Sequence, residues 1–272
     1  MLYLLILYCL FMETFPTIDP VFLGTSFVAS FIACFFSSLA GGGAGLILLP
    51  ILLLLGLPFV NALACHKLAV GFIGIGSGYR YMQEKLIDWK VFWWTGFTGV
   101  PFVIAGTWFA SYLSGDRMKP ILGVVILVMV IVSYLRKSGH LDHQPRPMNR
   151  KAWILASLML IPMAFYSGWI SAAAGVFTTY LYLIYFRYDQ LHATAMTLSA
   201  NGIFWNIVGA IAHIFFGNVL WPLAPGLVGG ALLGSYCGAS LGIKKGNRFL
   251  RFIFLSAAMV TGVLLLAQSF EN

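Results

Sequence analysis

Long apolar runs separated by short polar turns dominate the chain. They lie at about 21–40, 46–57, 60–82, 91–113 and 120–135, then, after a polar stretch from Arg136 to Lys151, at about 152–170, 176–186, 190–216, 222–243 and 252–268. A bilayer core of about 30 Å needs roughly 20 apolar residues in helical form, and most of these runs approach that length. The pattern predicts an all-α polytopic membrane protein. The second and seventh runs are short, and each follows a cluster of small residues, Gly41-Gly42-Gly43-Ala44-Gly45 and Ser171-Ala172-Ala173-Ala174-Gly175. Each reads either as a short, tightly packed crossing or as half of a re-entrant hairpin. Both readings return the chain to its starting side. A further apolar stretch ahead of these runs, Met1 to Met12, has no basic residue before it and no small-residue cleavage site after it, so an interfacial or membrane-dipping segment is expected rather than a cleaved signal peptide.

Composition removes the competing classes. Of the 272 residues, 60% are hydrophobic and 9% charged, against about 25% charged in soluble domains. A soluble enzyme, a disordered tail and a secreted disulfide scaffold are excluded. The 29 glycines favour closely packed or broken helices over plain lipid-facing spans. Cys9, Cys34, Cys65 and Cys237 stand singly in apolar runs and read as small core residues. No nucleophile motif, phosphate loop or dinucleotide fingerprint occurs, so neither catalysis, a cofactor nor ATP hydrolysis is expected.

The formal net charge of +8 takes its meaning from where it falls. If the short segments turn the chain back, one face receives Arg80, Lys85, Lys90, Arg136, Lys137, Arg146, Arg150, Lys151, Arg187, Lys244, Lys245, Arg248 and Arg251, and the other only Arg117 and Lys119. If they merely extend their neighbours, the two faces are nearly balanced. Thirteen against two is the bias that basic residues show toward the cytoplasm. The hairpin count therefore predicts both termini outside and a cytoplasmic linker, and it removes nucleic acid as a partner.

The chain also resembles itself. Setting Gly45 against Gly175 aligns Leu46 with Val176 and Leu68 with Leu198; after a two-residue shift Ile87-Asp88-Trp89 meets Val219-Leu220-Trp221, and Gly106 meets Gly238. The implied organisation is an N-terminal apolar segment (1–20), repeat 1 (21–135), a linker (136–151) and repeat 2 (152–272). Five passes per half make the second copy enter from the opposite side. Such inverted repeats occur in many secondary transporters, with sites near the midplane where broken helices meet.

The residues Ala40-Gly-Gly-Gly-Ala-Gly-Leu-Ile-Leu-Leu-Pro50, Leu57-Pro58, Ala64-Cys-His-Lys-Leu68 and Leu86-Ile-Asp-Trp89 resemble the sulfite exporter TauE/SafE family from about residue 21 onward, with a weaker second copy after residue 160. The resemblance implies transport, often export, of sulfite, sulfoacetate and related sulfur-containing anions. Two departures bear on substrate: Ala172, Ala173 and Ala174 stand where family members often have glycines, and Cys65-His66 precedes the lysine where Thr, Ser or Asn is frequent.

Lys67 lies about eight positions into its segment, roughly 12 Å along a helix. A lysine at such depth costs at least about 2.5 kcal/mol and needs a partner, a wet cavity or a function. No acid lies deep in any apolar run, so a bound anion is the favoured counter-charge, with snorkelling to the interface as the alternative. Gly42, Gly43 and Gly45, with Ala174 and Gly175, open new short helices whose first amides lack partners; tight packing explains them equally well for the glycines and better for the alanines. Thr197 and Asn201 share a helix face and offer a hydroxyl and an amide to an oxyanion, or else join helices. His66, beside Lys67, is a weaker candidate. His140, Asp142 and His143 are too few and too common as donors in a polar loop to make a metal site. The expected function is a secondary transporter of a small anion in the cell (inner) membrane, working by alternating access. The rivals are a channel-like facilitator and an accessory subunit of a membrane assembly. The expected partners are a small anionic substrate and the lipid bilayer, with a second copy of the chain allowed.

Overall fold

The structure, a computed structural model, describes residues 20–112, 115–135, 143–245 and 248–271. The N-terminal run Met1 to Met12 and the linker residues Arg136 to Asp142 lie outside the described residues. Ten helices and no strand occur among the described residues, one within each predicted apolar run. They are α1 (Pro20–Ala40), α2 (Leu48–Leu54, entered through a single 3-10 turn, Ala44–Leu46), α3 (Phe59–Gln83), α4 (Trp89–Ala110) and α5 (Gly115–Leu135). After the linker come α6 (Arg150–Trp169), α7 (Ala174–Tyr180, widened to a π-helix over Leu181–Tyr185), α8 (Gln190–Phe215), α9 (Ala224–Lys245) and α10 (Arg248–Glu271). Four, including α3, α6 and α8, are long and apolar enough to cross a membrane. The apolar helices at Ala44–Leu54 and Ala174–Tyr185 reach only about 16–18 Å at 1.5 Å per residue, too short for a full bilayer core.

Polar residues punctuate the helices where the runs break. Asp88 starts α4 by accepting from the amides of Lys90 at 3.0 Å and Val91 at 3.2 Å. Asn149 starts α6 through the Ala152 amide at 2.9 Å, and Asp189 starts α8 through the His192 amide at 2.8 Å. Each satisfies donors that a helix start leaves without partners.

Packing follows the small residues. The most extensive helix pairs are α1 with α9, α4 with α6, α3 with α9, α3 with α8, and α5 with α10. On α9, Gly230, Gly234 and Gly238 form a stripe at every fourth residue, where an added methyl group would strike the carbonyl oxygens of Phe27, Phe31 and Phe35 on α1. Gly106 of α4 would likewise strike the Phe165 carbonyl of α6, and Gly168 of α6 the Val103 carbonyl of α4. Backbones in such contact are the usual reason for small residues between membrane helices.

Polarity is distributed inside out. Ser30, Ser37, Lys67, Ser77, Thr95, Thr197 and Ser199 are buried, whereas Phe97, Leu158, Ile184 and Phe215 are each more than 60% exposed. Apolar side chains facing outward from several helices fit a lipid surround. At one end, Tyr188 donates to Asp88 (2.7 Å) and the Gln144 amide donates to the Arg187 carbonyl (3.2 Å). The start of α4, the loop before α8 and the end of the linker are thereby joined. At the other end, the Asn61 side chain donates to the Asn218 carbonyl at 2.9 Å.

Candidate substrate site

The two small-residue turns meet each other. Gly41, Gly42 and Gly43 have φ of 95°, 99° and 109°, a left-handed run that only glycine adopts without strain. The second turn keeps the left-handed bend without glycine, since Ser171 and Ala173 have φ of 66° and 62°. A left-handed L-residue costs roughly 1–2 kcal/mol, so the packing around this turn holds it in place. A methyl group on Gly42 would come within 3.2 Å of the Gly175 backbone, and one on Gly45 within 3.1 Å of the Ala172 backbone. Among the described residues, no acceptor meets the amides of Gly43, Gly45, Ala173 or Gly175.

Between the turns lies a cavity of about 40 Å³. At roughly 10–15 Å³ per water on that measure, it holds a few waters or one small oxyanion. Its walls are Ser37, Gly42, Gly43, Ala44, Gly45, His66, Ser167, Ser171, Ala174, Gly175, Thr197, Asn201 and Asn206, with Val70, Ile73, Leu198 and Gly202. Helix α3 contributes His66, Val70 and Ile73 to the walls, and α8 contributes Thr197, Leu198, Asn201, Gly202 and Asn206. In α8 the backbone is π-helical from Thr197 to Asn206, a rare local geometry that recurs at functional sites.

The hydrogen bonds leave specific groups for a ligand. The Thr179 hydroxyl lies 2.5 Å from the Gly41 carbonyl, 2.8 Å from the Gly175 carbonyl and 2.9 Å from the Thr197 hydroxyl. It has one proton for these neighbours, and it ties the two turns and α8 together. Asn201 donates to Thr178 at 2.6 Å, which fixes its amide, and its Oδ1 is buried without a partner. His66 packs its ring against Gly45, and its Nδ1 is also buried without a partner. Asn206 donates to the Asn201 carbonyl at 2.9 Å. The cavity therefore offers several donors and one waiting acceptor.

Lys67 is fully buried but does not line the cavity. Its Nζ donates to Ser167 Oγ at 3.2 Å, and Ser167 forms the wall between them. Gly209 of α8 makes space for the lysine stem, since a methyl group there would lie 3.0 Å from Lys67 Cδ. No aspartate or glutamate is buried among the described residues. Snorkelling to the interface is therefore not the arrangement seen.

Of the expected residues, Gly42, Gly43, Gly45, His66, Ala174, Gly175, Thr197 and Asn201 come together on one cavity, with Lys67 one hydroxyl behind it. Ser37, Ser167, Ser171 and Asn206 were missed as site residues. The alignment of Gly45 with Gly175 also sets Ser37 against Ser167, which would have found that pair. Asn206 lies five residues from Asn201, a spacing that joins faces on a π-helix and not on the α-helix the periodicity assumed.

A helical body with apolar outer faces and an internal cavity lined by small and polar residues fits a membrane protein of the transporter class. The sequence pattern of the family described as Sulfite exporter TauE/SafE matches residues 26–265. The chain belongs to the sulfite exporter TauE/SafE family and is a membrane transporter, not an enzyme. Similar proteins include the probable membrane transporter protein YfcA of Escherichia coli K12, 28% identical over 95% of this chain and 96% of the relative. The probable membrane transporter protein ORF9 of Sinorhizobium sp is 29% identical over 89% of this chain and 91% of that protein. A probable membrane transporter protein of Haemophilus influenzae is 23% identical over 89% and 94%. No solved structure matches the chain.

Proposed function

We propose that the protein is a secondary transporter that exports a small anion across the cell (inner) membrane, sulfite or a sulfur-containing organic anion such as sulfoacetate, with the turn-lined cavity as its binding site. The observation that carries this reading is a buried cation, Lys67, beside a polar cavity, with no buried carboxylate among the described residues to neutralise it. An anion in the cavity supplies the missing charge through Ser167, the free amides of Gly43, Gly45 and Gly175, and the His66 ring. The unpartnered Asn201 Oδ1 suits a ligand or bridging water that keeps one hydrogen.

Alternating access between two inverted repeats (21–135 and 152–272) is the proposed mechanism. Its support is reciprocal packing. The first helix of each half lies along the fourth helix of the other, α1 on α9 and α6 on α4. Gly106 meets Phe165 just as its aligned partner Gly238 meets Phe35, and Phe35 aligns with Phe165 by the same offset as Gly45 with Gly175. Export of one negative charge down an inside-negative potential gains about 2.3 kcal/mol per 100 mV, so it needs no proton-coupling carboxylate. The test is anion efflux and anion binding in proteoliposomes carrying Lys67→Met. The expected result is loss of saturable efflux and of affinity together; unchanged efflux and affinity would remove Lys67 from the mechanism, and no anion efflux or binding by the native chain would overturn the anion reading.

A further inference from the structure

His143, Asp189 and His192 are brought together at the end where the linker docks, although His143 is distant in sequence from the other two. Along the chain His143 stands beside His140 and Asp142; its neighbours in space are instead on the loop and first turn of α8. Asp189 Oδ2 lies 2.8 Å from His192 Nδ1 and 3.8 Å from His143 Nδ1. The two imidazole rings stack with centroids 3.8 Å apart and planes inclined by 24°. One donor atom from each residue falls within 4.8 Å of the others.

This juxtaposition is built by the fold. The linker is pinned beside the loop by backbone hydrogen bonds from Gln144 to the Arg187 carbonyl (3.2 Å) and from Arg146 to the Phe186 carbonyl (3.0 Å). Asp189 spends Oδ1 on the His192 amide as the cap of α8, which orients Oδ2 toward the two rings. Tyr188 packs its ring 5.3 Å from that of His143 while its hydroxyl holds Asp88. A helix cap needs Asp189 alone. The second imidazole, brought from a separate segment and stacked on the first, is what capping leaves unexplained.

We propose that His143, Asp189 and His192 form a binding site for a divalent transition-metal ion, zinc foremost, that clasps the inter-repeat linker to the start of α8. Two imidazole nitrogens and one carboxylate oxygen match zinc and its neighbours rather than calcium or magnesium, which take mostly oxygen ligands. With bonds of about 2.0–2.1 Å, donors around a tetrahedral ion stand roughly 3.3 Å apart. The separations of 2.8 and 3.8 Å from Asp189 Oδ2 bracket that spacing, and a tilt of the two stacked rings turns both imidazole nitrogens toward one ion beside the carboxylate. Three protein ligands leave a fourth position for water or another small ligand. Because α8 continues into the π-helical wall of the cavity, an ion here ties the linker between the halves to the element that shapes the site.

The proposal does not rest on the transport reading, and its test needs no transport. Zinc is titrated into the purified full chain, freed of affinity-tag histidines, against a competing chromophoric chelator. The expected result is one tightly held equivalent whose affinity falls at least about tenfold in His143→Ala and in His192→Ala, since even outer-shell changes at metal sites cost about 10–100-fold. His143 lies outside every helix, so its variant tests the site without touching a helix cap. Cobalt gives a second readout, an intense tetrahedral visible spectrum that His143→Ala abolishes. No zinc bound by the native chain at micromolar concentration, or native affinity retained in the His143→Ala/His192→Ala double variant, overturns the site.

Discussion

Under the proposed function, Lys67 and Ser167 together present a charge to the cavity. The lysine stem lies in space left by Gly209, and its Nζ donates to the Ser167 hydroxyl, which lines the cavity. A hydrogen bond to a charged group is worth about 1.5–3 kcal/mol, and removing one partner leaves the other unsatisfied. Ser167→Ala is therefore expected to weaken anion binding by roughly tenfold or more, and also to lower stability, because Lys67 then has no hydrogen-bond acceptor there. Calorimetric anion titration and thermal unfolding of the same preparation check both; unchanged affinity would mean that the lysine acts on the anion without the serine. Lys67 was legible in the sequence because a lone lysine in an apolar run is costly and calls for a partner, a wet cavity or a route to the interface. Ser167 was not, since a serine near a helix end is common, and only its alignment with Ser37 marks it. The cluster at His143 was illegible for a different reason: its three members meet only because the linker folds back along Phe186 and Arg187.

At the scale of elements, the two turns solve one problem with different residues. Three consecutive glycines at Gly41–Gly43 mark a broken helix by residue type alone. Ser171 and Ala173 carry no such mark, because residues with a Cβ seldom adopt positive φ, although the turn opposite packs against theirs. That difference can be measured. Gly42 and Gly56 both have positive φ, 99° and 88°, but only Gly42 is crowded; nothing lies within 4 Å of a methyl group on Gly56. Gly56→Ala should cost only the backbone strain of about 1–2 kcal/mol. Gly42→Ala adds a clash with the Gly175 backbone and the Thr197 methyl at 3.2 Å, and should destabilise further while also reducing anion affinity. Thermal unfolding of both variants, with anion titrations alongside, separates the terms. Equal stability losses and equal affinities would mean that the turns are not held in register by their contact. The short helices themselves were legible as short, and their dimensions of about 16–18 Å keep them from acting as full spans.

At the scale of the molecule, charge bias and packing are independent properties of the chain, and they agree on which loops share an end. The basic residues Lys90, Arg146, Lys151 and Arg187 belong to the segments joined by the Asp88–Tyr188 and Gln144–Arg187 bonds, whereas Asn61 in the first turn of α3 and Asn218 in the loop after α8, bonded at the opposite end, have no Lys or Arg beside them in sequence. Contacts fix which loops are neighbours and leave the sign of the orientation to electrostatics, where basic residues are retained on the cytoplasmic side. The linker should then face the cytoplasm, and the end of α4, near Arg117 and Lys119, should face outward. Single cysteines at Tyr112 and Lys151, both exposed, placed in a chain whose native cysteines are replaced, report this directly. A membrane-impermeant maleimide applied to intact cells is expected to label Tyr112→Cys and to reach Lys151→Cys only after permeabilisation. The opposite order would invert the protein in the membrane, and an anion leaving down the membrane potential would then have to enter the cavity from the face now assigned to the outside.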